Sequence, residues 1–164
     1  VPKPTASDIL EVLTTAGRPA TRQIAERIEG EIARYGDLAC AVAALTHEDA
    51  PALLSDMLAY RAALAEAADP RLRIARLRRE ADDLDARAEP LWLEAADCAG
   101  RARFRRSQGQ GELAAIFERK TQAAERLAAA LETESFAKRL EAAHLQIAYA
   151  NQDHWAGLLA VVAA

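Results

Sequence analysis

From Arg71 onward, apolar and small residues recur three and four apart without a break: Ile74, Leu77, Ala81, Leu84, Ala88, Leu91, Ala95, Cys98 and Ala102. That spacing holds a stripe on one side of a helix, and its persistence predicts a coiled-coil-like seam. Pro90 falls inside the run and predicts a kink or a restart, because proline lacks a backbone N–H and crowds the preceding turn. The segment from Ser107 to Gly111 predicts a tight loop. The chain from residue 112 to about residue 162 then contains one glycine and no proline, the pattern of a single long helix.

Two long helices joined by so short a loop lie antiparallel. A fold about Gly109 pairs residues whose numbers sum to about 218, which sets Leu91 against Leu127, Ala95 against Ala123, Ala88 against Ala130, Ala81 against Ala137 and Ala102 against Ile116. Alanine recurs every seventh position on both sides of this pairing. An Ala-rich seam with closely approaching axes is therefore expected.

Before the long run, breakers divide the chain into shorter helices. Ser7-Asp8 caps a first one carrying Ile9, Leu10, Val12 and Leu13, with Gly17 at its end. Pro19 and Thr21 open a second, with Ile24, Ile28 and Ile32 on one face and Gly36 as its stop. A short apolar segment, Leu38 to Leu45, follows. Thr46 and Pro51 predict the start of a helix reaching about Ala68, and Asp69-Pro70 caps and starts the next. The expected fold is all-α: an N-terminal cluster of short helices over residues 1–69, then a long antiparallel hairpin over residues 70–164.

Composition changes this picture in one respect. The 164 residues are 51% hydrophobic, yet 41 of them are alanine, so about half of the nominal apolar content is methyl groups. Such a core gains little per residue and depends on close helix approach. A net charge of −4 leaves no overall basic footprint for nucleic acid. Cys40 and Cys98 form no paired motif, sit inside apolar helical stretches and read as reduced, buried thiols. Val1 to Pro4 leads into polar residues, and the longest apolar run, Ala156 to Ala164, is far too short to span a bilayer. A cytoplasmic protein without membrane contact is the expectation.

Candidate chemistry is sparse. Glu141 and His144 have the Glu-x-x-His spacing of di-iron helical bundles, but neither His47 nor His154 has a glutamate three residues before it. A metal-binding bundle is thus a remote alternative, and no cofactor is expected. His144, Asn151 and His154 instead continue a heptad begun by Leu140 and Ile147, where polar groups set register. There is no phosphate-binding loop, dinucleotide fingerprint or nucleophile elbow, so no enzyme is expected.

The stretch ILEVLTTAGRPATRQIAERI, residues 9–28, resembles the first two helices of helix-turn-helix domains. Glu29 stands where the turn glycine belongs, Gly30 comes one residue late, and the following segment is apolar where a recognition helix needs polar side chains. A degenerate helix-turn-helix followed by an oligomerising hairpin is similar in outline to phage small terminase subunits. That resemblance implies a DNA-binding adaptor and makes nucleic acid a second candidate partner.

Two surfaces stand out as contact sites. Arg101, Arg103, Arg105, Arg106, Arg119 and Lys120 make the loop end of the hairpin locally basic. The last turns of the final helix outrun its partner and carry Trp155, Leu158, Leu159 and Val162, an apolar end that calls for a partner surface. The leading expectation is a non-enzymatic assembly protein acting through helix–helix contacts, self-associating or bound in a larger complex.

Overall fold

The computed structural model describes residues 3–162, with side chains as far as Gln152. Six helices account for nearly all of them: α1 (Ala6–Thr15), α2 (Arg22–Tyr35), α3 (Leu38–Leu45), α4 (Pro51–Ala68), α5 (Pro70–Ser107) and α6 (Gly111–Val162). No strand occurs among the described residues. The chain divides into two units, residues 1–73 and 74–164.

In the first unit the helix starts are set by short polar side chains. Thr5 and Asp8 form a reciprocal capping box at α1, so the N-cap is Thr5, two residues before Ser7. Thr21 accepts from the Ile24 N–H at 3.2 Å and Asp37 from the Cys40 N–H at 2.7 Å. Thr46 does not open α4. It closes α3, its hydroxyl donating to the Val42 carbonyl at 2.8 Å, while Pro51 occupies the first turn of α4. A proline loses nothing where the N–H would have no helical partner, so α4 starts without a side-chain cap.

These helices enclose one core of Ile9 and Leu13 from α1, Ile28 and Ile32 from α2, Val42 and Leu45 from α3, and Met57 and Tyr60 from α4. The isoleucine face read from the sequence is the buried one, although Ile24 is only partly covered. Beside the core, the Arg18 guanidinium reaches the buried Glu66 carboxylate at 2.7 Å.

In the second unit α5 and α6 form the antiparallel hairpin, turning through Gln108, Gly109 and Gln110. Gly109 has a φ of 72°, a left-handed conformation that glycine adopts without strain. The α5 face is the one its periodicity predicts: Ile74, Leu77, Ala81, Leu84, Ala88, Ala95, Cys98 and Ala102 are all buried. Pro90 does not restart the helix, which is continuous from Pro70 to Ser107. The proline is exposed and off the seam, so its ring and missing N–H face away from α6.

The α6 face differs from the expectation. Ala123, Leu127, Ala130 and Ala137 are exposed, and the buried positions are Ala114, Ala124, Ala128, Ser135 and Ala142. Thr121, Leu131, Lys138 and Leu145 are half-buried between them. The seam thus lies one residue further along α6 than the alanine ladder suggests. A one-residue step turns a helix by about 100°, enough to exchange an inner face for an outer one. Ile74 and Leu77 accordingly pack with Ala142 and Leu145.

Candidate interaction surface

Three polar side chains sit on the α6 side of the seam, and each is satisfied there. The Thr121 hydroxyl donates to the Phe117 carbonyl at 3.0 Å, and the Ser135 hydroxyl crosses to the Ala81 carbonyl at 3.2 Å. The Lys138 ammonium meets the Glu80 carboxylate at 2.8 Å, which Arg76 also reaches at 2.8 Å. Partial burial pushes the Glu80 carboxyl up, but the hydrogen bonds from Lys138 and Arg76 outweigh it and hold it below its ordinary value.

One flank of the seam is closed by polar pairs whose members are spaced by seven, seven and fourteen residues. Arg78 donates to Gln146 at 2.6 Å, Arg139 to Asp85 at 2.6 Å, the Trp92 indole to Glu132 at 2.7 Å, and Arg106 to Glu118. Hydrogen bonds from Ser135 and then Arg139 hold the Asp85 carboxyl below its ordinary value. This ladder fixes the register of the two helices independently of the apolar contacts. Sequence reading missed it because each pair joins residues distant in the chain.

The opposite flank of α6 has no such closure. Ile116, Ala123, Ala130 and Ala137 recur at seven-residue intervals along it, all exposed. Leu113, Leu127 and Leu140 border them and are 44%, 53% and 46% exposed. At 1.5 Å per residue, Leu113 to Leu140 spans about 40 Å. The alanines assigned to the internal seam therefore form a second stripe, continuous and facing outward. Exposed His144 continues this stripe, so the polar register positions lie on the outer face rather than in the seam; Asn151 is exposed beyond it.

At the loop end the six basic residues are not equivalent. Arg101 pairs with Asp97 at 2.8 Å, Arg105 donates to Gln110 at 2.9 Å, and Arg106 is held by Glu118. Arg103, Arg119 and Lys120 are exposed, and no partner occurs for them among the described residues. Arg119 and Lys120 border the outward stripe. Trp155, Leu158, Leu159, Val162 and the His154 side chain lie outside the described side chains.

The remaining candidate features give little chemistry. Among the described residues no group of three or more His, Cys, Asp or Glu side chains is placed to hold a metal ion. No described helix is long and apolar enough to cross a membrane. The exposed residues of α3 are Ala39, Cys40 and Ala43, so its outer side offers almost no hydrogen-bonding groups, and of the two cysteines expected to be buried only Cys98 is. Comparison of the chain with protein-family models, with curated proteins and with solved structures gives no match.

Proposed function

We propose that this chain is a non-enzymatic assembly protein that works through helix–helix contacts on the outer face of its hairpin. The observation that supports the reading is the second apolar stripe of α6, which remains exposed although the internal seam is already filled. Scattered apolar residues on a surface need no explanation, but a stripe repeating at helical spacing over several turns has the form of a coiled-coil seam awaiting a partner helix. A DNA-binding adaptor has less to rest on, because side chains able to read base edges are lacking on the outer side of α3.

The test is the double substitution Leu127→Glu with Ala130→Glu, compared with the natural chain by sedimentation. Both positions are exposed, so helix content and melting temperature should change little. The natural chain is expected to associate and the variant to remain monomeric. A natural chain that is monomeric at every concentration, or a variant that associates equally well, would overturn the reading.

A further inference from the structure

We infer that a cavity in the first unit binds a small uncharged molecule with an apolar body and one hydrogen-bond-accepting oxygen, which the Tyr60 hydroxyl holds. The site lies outside the hairpin and stands independently of the assembly reading.

The cavity has a volume of about 360 Å³ and lies between the segment before α1, the junction of α2 with α3, and α4. That volume falls within the range of small-molecule sites. Pro4, Ile32, Leu38 and Leu64 give it apolar walls, and Tyr60 stands one turn before Leu64 on α4. Gly36 lies at its edge with a φ of 93°, and no atom comes within 4 Å of where a Cβ would stand. The opening is therefore left clear by the residue that turns the chain from α2 into α3.

Tyr60 is the reason to expect an occupant. The residue is only 3% exposed, yet its hydroxyl has no hydrogen-bond partner among the described residues. Its side chain lines the cavity, and the hydroxyl is not closed off from it. A donor in so covered a place calls for an acceptor. A water molecule there needs two or more polar partners, and the other polar groups of the cavity are engaged. Asp37 accepts from the Cys40 N–H at 2.7 Å and from the Cys40 thiol at 3.5 Å, while the Lys3 ammonium donates to the Ala33 carbonyl at 3.4 Å. An organic molecule with a single oxygen satisfies Tyr60 and covers the apolar walls together.

Electrostatics select an uncharged ligand. Burial and then the Asp8 charge push the Tyr60 hydroxyl up, so it stays protonated and donates. Asp8 and Asp37 place two carboxylates near the site against the one ammonium of Lys3, which disfavours an anion.

Three probes of nearly equal shape test the site on the full chain. Acetophenone carries a carbonyl, α-methylstyrene replaces its oxygen with a methylene, and benzoate carries a charge. Binding is read from amide NMR shifts of the isotopically labelled protein. Acetophenone should bind at about millimolar concentration and shift Gly36, Leu38 and Leu64. The α-methylstyrene should bind about threefold to tenfold more weakly, and benzoate more weakly than acetophenone. Tyr60→Phe, which keeps the ring, should lower acetophenone affinity to that of α-methylstyrene and leave the latter unchanged. Leu64→Trp, which narrows the cavity, should weaken both. Equal binding of acetophenone and α-methylstyrene to the natural chain would overturn the inference, as would tighter binding of benzoate. So would the absence of shifts at the cavity residues with all three probes.

Discussion

Ala128 and Ala130 are chemically identical and two positions apart, yet one is fully buried and the other exposed. Enlarging them should separate the two faces. Ala128→Leu overfills a seam built for methyl groups and should cost about 1–3 kcal/mol, read from the urea unfolding midpoint. Ala130→Leu should leave the stability of the single chain nearly unchanged. Equal destabilisation by both would place the seam elsewhere. The polar side chains of the seam predict a pH dependence. In the folded hairpin Glu80 and Asp85 hold protons less tightly than in the unfolded chain. The unfolded state therefore takes up more protons as pH falls, and their contribution is complete above the ordinary carboxylate range, near pH 4, and lost below it. The drop in melting temperature from about pH 6 to about pH 3 should be smaller in Glu80→Gln with Asp85→Asn than in the natural chain.

At the scale of elements, α5 was legible and α6 was not. On α5 the apolar residues stand on a background of arginine and acid, so a single stripe is visible and the buried set is the one its spacing predicts except for Leu91, which is half-buried. On α6 apolar and small residues lie on more than one face. The true seam is interrupted by Thr121, Ser135 and Lys138, whereas the outward stripe carries alanine at every seventh position. Hydrophobicity alone therefore points to the wrong face, and the register becomes visible only through the cross-helix polar ladder. The caps at Thr21 and at the Asp69-Pro70 start were read better, since they act through neighbours in the chain. Pro90 marks a place where local preference is overruled by packing on both sides. Pro90→Ala should restore a helical N–H and stabilise the hairpin by about 1–3 kcal/mol, measured by chemical unfolding. A loss of stability would mean that the proline shapes α5 in a way the seam needs.

For the whole molecule, the all-helical class and the hairpin followed from the placement of glycine and proline along the chain. The outward stripe of α6 did not, because whether a repeating face is internal or external depends on which of two similar faces the partner helix takes. The same ambiguity carries the functional proposal: a helix with two seams and one internal partner has a face left for another chain. The most direct measurement is the mass of the natural chain in solution across a wide range of concentration, beside that of Leu127→Glu with Ala130→Glu. The account predicts that the natural chain rises from its 17.7 kDa monomer toward twice that mass while the equally helical variant remains at the monomer. A natural chain that holds the monomer mass throughout would contradict it.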